Sequence, residues 1–162
     1  MIESLVKTVS LLSKEAAVFI VAALPVSELR GAIPLGILGF GFSAAKTYVL
    51  SFFGNALPVI PILLLLEPLA GKLRRFPLWK KFFDWLFEHT RKRARLVEKF
   101  EALGLVLFVA IPFPVTGAWT GCIAATLFKV RFRYAFFAIL SGIAIAGAIV
   151  TLLTLTGQSA LK

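Results

Sequence analysis

Glu28 and Arg30 stand two residues apart in P-V-S-E-L-R-G-A-I-P-L-G, residues 25–36, with apolar sequence on both sides. Arg30 offers a permanent cation with five donors, a good match for a phosphate group. Glu28 can pair with it, or carry a proton when a substrate phosphate competes for the guanidinium. Ser27 adds a hydroxyl beside them. Either charge is costly in lipid unless it faces protein or water. A second stretch, I-P-F-P-V-T-G-A-W-T-G at 111–121, repeats the pattern of proline, valine, hydroxyl and glycine without the charges. Thr116, Trp119 and Thr120 are its candidate contacts, and Asn55 lies near the centre of the apolar run between the two stretches. Each has a structural alternative: Glu28 and Arg30 as a pair closing a turn, Asn55 as a polar tie between helices, Trp119 as an interface anchor.

These residues need elements to hold them, and composition says which. The chain has 162 residues, 59% of them hydrophobic and only 16% charged, with a mean hydropathy of +0.92. Runs 47–66, 103–128 and 134–161 carry no charge, and each reaches the roughly 20 apolar residues that cross a bilayer. An integral membrane protein follows. The net charge of +10 does not point to nucleic acid, because the basic residues cluster beside the apolar runs. Ten of them fall within 72–99, and Lys129, Arg131 and Arg133 precede the last run. That is the pattern of cytoplasmic flanks.

Breakers divide the apolar sequence. Pro25, Gly31, Pro34 and Gly36 interrupt the first stretch, and Pro112, Pro114, Gly117 and Gly121 the second. Irregular backbone at membrane depth has to be shielded by protein or line a cavity. The expectation is an all-α fold in two copies of a re-entrant hairpin followed by a transmembrane helix. Repeat A covers 1–70, with a surface helix near the start, a hairpin at about 16–42 and a span at about 44–66, kinked by Gly54, Pro58 or Pro61 and ended by Glu67–Pro68. Repeat B covers 103–162, with a hairpin at about 103–128 and a span at about 134–156. Aligning Pro25-Val26-Ser27 with Pro114-Val115-Thr116 also aligns Gly54 with Gly142 to within one residue. One span lies between the hairpins, so the copies would be inverted, an arrangement that places transporter sites between them.

Residues 71–102 form a basic connector. Trp79, Phe82, Phe83 and Leu86 make a helical apolar stripe, as expected of a helix at a headgroup layer on the cytoplasmic side. Arg91, Lys92, Arg93 and Arg95, with Lys129, Arg131 and Arg133, are candidates for anionic lipid headgroups, or serve as topology anchors. Lone Cys122 and His89 form no disulfide or metal pattern. Neither a cofactor nor a catalytic constellation is expected. The mixed charges Glu3, Lys7, Lys14 and Glu15 make the N-terminus a poor cleaved leader.

The motifs S-E-L-R-G-A-I-P-L-G at 27–36, P-F-P-V-T-G-A-W-T-G at 112–121 and K-V-R-F-R-Y at 129–134, with the small residues around Ser141-Gly142, resemble the small multidrug export protein family of prokaryotes. That family is placed by the same resemblance in the DedA (VTT-domain) superfamily. The resemblance implies facing re-entrant hairpins in an inner-membrane protein that moves lipid or small molecules between leaflets. Acidic residues of the first hairpin and arginines of the second are functional in the wider superfamily. Glu28 can take the acidic role, whereas the second hairpin here lacks arginine and Arg30 of the first stands in for it. The expected activity is carriage of a phosphate-bearing lipid, a polyprenyl phosphate or phospholipid, coupled to protons through Glu28. Export of small cationic compounds and a non-transporting scaffold are the alternatives. Two full spans enclose little, so a homodimer is expected.

Overall fold

The computed structural model describes residues 13–111 and 116–160, and of Arg93, Arg95, Leu96 and Glu98 the backbone alone. Among the described residues the fold is all-helical, with 84% of them in helix. The surface helix expected over the first residues, and Pro112 and Pro114, lie outside the described residues.

Helix α1, Lys14–Ala23, starts at Ser13, whose hydroxyl accepts from the Ala16 N–H. That cap satisfies one of the donors a helix start leaves open. Pro25 and its neighbours make the turn, and α2, Glu28–Pro34, follows. Gly31 and Pro34 therefore lie within helix, and Gly36 in the π turn Leu35–Gly39 that extends it. They do not break the chain as expected. Pro34 has no N–H and its ring crowds the carbonyl of Arg30. The winding loosens just after it, and Phe40 donates to the Leu35 carbonyl five residues back at 3.0 Å. Gly31 and Gly36 serve close packing instead. A Cβ on Gly36 would lie 2.5 Å from Thr47 Cγ2, and one on Gly31 2.8 Å from Ser27 Cβ.

Helices α3, Ala44–Ala56, and α4, Val59–Leu73, together make the first stretch long and apolar enough to cross a membrane, Ala44–Leu73. The chain breaks at Leu57 and Pro58, where the kink was expected, and it does not end at Glu67–Pro68. Pro68 is accommodated inside α4, which runs on to Leu73. Helix α5, Pro77–Arg93, carries the basic aromatic sequence, and α6, Arg95–Ala110, is bent at Glu101, where φ is +46°. Helix α7, Ala118–Leu127, contains Trp119, Thr120 and Gly121, so Gly121 is a helical residue as well. Its missing Cβ admits Val109 Cγ2, which a Cβ would meet at 2.6 Å. Helix α8, Phe132–Ala160, is the second stretch of spanning length and is longer than the sequence suggested.

The chain forms two compact units. The first takes in the described residues of Met1–Leu57 and Gly147–Lys162, the second Pro58–Ala146. In the first, α1, α2 and α3 pack on one another around Val18, Ala22 and Ala32. Gly54 lets the Phe19 carbonyl of α1 approach α3, and Gly147 lets Tyr48 approach α8, a Cβ there lying 2.8 Å from the ring. In the second, α7 packs on α4, α5 and α6. Phe83 is the buried member of the α5 stripe, while Trp79 and Phe82 stay exposed. Leu105, Val109, Cys122, Ile139 and Ile143 are fully or nearly fully buried there.

Candidate functional site

The candidate residues fall into the two units, Ser27, Glu28, Arg30 and Asn55 in the first and Thr116, Trp119, Thr120 and the basic residues of 129–133 in the second.

In the first unit the turn between α1 and α2 presents the ionic residues. Ser27 donates its hydroxyl to the Val21 carbonyl at 2.6 Å, closing the C-terminus of α1, where carbonyls lack helical partners. Glu28 begins α2 with φ +46° and is buried. A left-handed backbone on a residue with a Cβ costs about 1–2 kcal/mol, so the packing around the turn holds this acid in place at some expense. Arg30 follows one helical step on, half-buried, and interacts electrostatically with Glu28.

Asn55 sits on α3 and is 1% exposed. It is not alone. Ser51 and Thr47 lie one and two turns before it on the same helical face, and both are fully buried at 0%. Among the described residues, Thr47 Oγ1, Ser51 Oγ and Asn55 Oδ1 have no hydrogen-bond partner. Thr47 and Ser51 were missed in the sequence. The signal was present in their four-residue spacing within an apolar run.

In the second unit, Thr116 donates to the Ile111 carbonyl at 2.8 Å and Thr120 to the Gly117 carbonyl at 3.3 Å. These bonds tie off the backbone around the break before α7, the local service expected of hydroxyls at a helix start. Trp119 is partly buried in the first turn of α7.

The charged residues of this unit frame a groove. A cavity of about 750 Å³ is lined by Leu103 and Val106, by Phe137 and Ser141 of α8, and by Arg131 and Arg133. A second cavity of about 640 Å³ shares Leu103, Arg131 and Tyr134 with it and adds Lys129 and Glu101. Lys129 closes α7 with φ +53°, the position where glycine is usual. Val130 donates to the Ala125 carbonyl at 2.9 Å behind it. Three cations follow within five residues, Arg131 and Arg133 lining the first cavity and Lys129 and Arg131 the second. On the connector, Arg91 and Lys92 are exposed, and Lys92 pairs with Glu88 at 3.0 Å. Arg74 pairs with Asp84 and lies over the Phe87 ring. The side chains of Arg93 and Arg95 are outside those described.

A family model described as "Putative small multi-drug export protein" matches residues 28–149, about three quarters of the chain. No curated protein and no solved structure matches it. The matched stretch runs from the strained acid of the first turn through the basic groove and into the second spanning helix. By that match the chain belongs to the small multi-drug export protein family, and with its two apolar helices it is a membrane protein of an export family.

Proposed function

We propose that the protein is a transporter of the DedA type that carries a phosphate-bearing lipid between leaflets, with protons coupled through Glu28. The observation that supports this most is the groove of the second unit. Its lining of Leu103, Val106 and Phe137 suits an acyl or prenyl chain, and Arg131 and Arg133 in the same lining suit a phosphate. Guanidinium groups bind phosphate by charge-assisted, often bidentate bonds. Glu28, buried and held in a strained backbone, is the group to exchange a proton, and Arg30 beside it sets when that happens.

Two observations favour a paired architecture of re-entrant hairpins. Each candidate hairpin has a helix on either side of a proline-containing stretch, Lys14–Ala23 and Glu28–Pro34 around Pro25, and Arg95–Ala110 and Ala118–Leu127 on either side of residues 111–117. Each following helix carries a glycine against the first hairpin helix: Gly54 meets the Phe19 carbonyl, and Gly142 meets Val109, to which a Cβ would come within 2.6 Å. We take the copies to be inverted, the connector to be cytoplasmic in a prokaryotic inner membrane, and the working form to be a homodimer in contact with anionic lipid. No catalytic step is assigned.

The test is movement of a labelled polyprenyl phosphate or phospholipid between leaflets of proteoliposomes, with and without a pH gradient. Wild type should move the lipid faster with the gradient. Arg131→Ala with Arg133→Ala should abolish movement, and Glu28→Gln should abolish the gradient's effect. Movement unchanged in all variants would sink the proposal. The family's description favours a second reading, export of small cationic compounds. Gradient-driven uptake of a fluorescent cation, lost in Glu28→Gln but not in the double arginine variant, would favour it.

A further inference from the structure

Five hydroxyls in the helices of this protein share one local bond, and buried Thr47 and Ser51 lack it. Thr126, Thr151, Thr154, Thr156 and Ser159 each donate to the carbonyl four residues back, at 2.7–3.0 Å. That bond is the local way to satisfy a hydroxyl on an apolar helix. Thr47 and Ser51 of α3 have the same opportunity and are more deeply buried than most of the others, yet neither makes it. Asn55, one turn further on, leaves its amide oxygen equally unpartnered. A buried polar atom without a partner costs about 1–3 kcal/mol. Three in one row offer a small ligand a set of open acceptors.

The chemistry of the row narrows what that is. All three atoms are neutral oxygens able to accept or to ligate. Successive rungs are one helical turn apart, a rise of about 6 Å, so one small ligand can bridge Thr47 with Ser51 or Ser51 with Asn55. The surrounding packing is tight. Gly36 admits the Thr47 side chain, and Gly54 brings the Phe19 carbonyl against α3 beside Asn55. An ion or a water fits such a place, and an organic substrate does not. A divalent cation calls for carboxylates, and among the described residues no three His, Cys, Asp or Glu side chains gather as a metal site. Neutral hydroxyl, amide and backbone oxygens suit a monovalent ion.

We infer that the row of Thr47, Ser51 and Asn55 holds a sodium ion in the first unit, at Ser51 together with one of its two neighbours. Ser51 belongs to both rungs and is the central ligand. The inference does not depend on what the protein transports.

The experiment uses the full chain in detergent, its thermal unfolding followed in sodium, potassium and choline chloride at equal ionic strength. Binding to the folded state alone raises the melting temperature with ligand concentration. Sodium should raise it saturably by several degrees, and choline should not. Ser51→Ala should weaken the sodium dependence about tenfold or more, the loss of one ligand of about 1.4 kcal/mol. Thr47→Val, which keeps the shape, should weaken it less. Equilibrium binding of radioactive sodium to the wild type, competed by cold sodium, gives a direct reading that needs no variant. An absence of sodium-specific binding in wild type would overturn the inference and leave a buried water in the row. Undiminished binding in both variants would overturn it as well.

Discussion

The two units solve the same packing problem and put their polar chemistry in opposite places. In each, glycines let neighbouring helices come close, Gly54 against the Phe19 carbonyl in the first and Gly121 and Gly142 against Val109 in the second. The first unit buries its polar atoms, with the Thr47–Ser51–Asn55 row in its interior and Glu28 held under the turn. The second keeps an apolar interior around Leu105, Cys122 and Ile139 and sends its charges to the cavity linings, as Lys129, Arg131 and Arg133. Buried neutral oxygens suit small ions, and arginines beside an apolar lining suit amphipathic anions. The two proposed chemistries thus fall in separate units of one short chain.

The sharpest way to break this comparison is through packing. Gly54→Ala places a methyl group against the Phe19 carbonyl, which cannot swing aside as a side chain would. It should cost about 1–3 kcal/mol, and more if the carbonyl cannot give, seen as a lower melting temperature in detergent. Gly121→Ala should cost less, because Val109 can change rotamer. If the two were equal, the first unit would be no more tightly built than the second.

Next in size are the arginines of the groove. Each arginine lost from a phosphate contact should cost about 1.5–3 kcal/mol. Arg131→Ala with Arg133→Ala should therefore reduce binding of a phosphate lipid more than a hundredfold, measured by lipid displacement, with the fold intact by circular dichroism. Lys129→Gly sharpens the same point at smaller scale. Relief of its left-handed backbone should raise stability by up to about 1 kcal/mol, while binding falls. A rise in both would remove Lys129 from the site.

The smallest effect concerns the edge of the first unit. Lys46 bonds Glu15 at 2.6 Å and lies 4.1 Å over the Phe42 ring. That hydrogen bond, chiefly, holds the Glu15 carboxyl below its ordinary range. A lowered folded value means the contact adds stability above the unfolded value, and loses it as pH falls through the folded one. In Lys46→Met the slight drop in melting temperature below about pH 4.5 should flatten. An unchanged slope would assign it to other carboxylates.

Much of this was legible in the chain. The uncharged runs announced the two long helices, and Pro25 and Pro58 marked real breaks, because a missing donor and a crowded carbonyl act locally. The glycines were not legible. Gly31, Gly36 and Gly121 look like breakers in one dimension, and only the neighbour each one admits, Ser27, Thr47 or Val109, shows that they are contacts. Asn55 stood out as an amide in an apolar run, but Thr47 and Ser51 are ordinary in membrane helices until their missing back-bonds are seen. The groove was half legible. Its cations were counted in sequence, whereas its trough exists only once residues around 103–106 lie against 137–141.

The π turn after Pro34 has a consequence for how this chain tolerates length changes. Such a turn is an α-helix that has absorbed one extra residue. Elsewhere in these helices, removing a residue swings everything beyond it by about 100°, turning buried faces outward. Between Leu35 and Gly39, removal of exposed Leu38 would instead let the coil tighten to ordinary winding. Shortening by one residue is thus best absorbed in this turn, within a few residues of the acid and base.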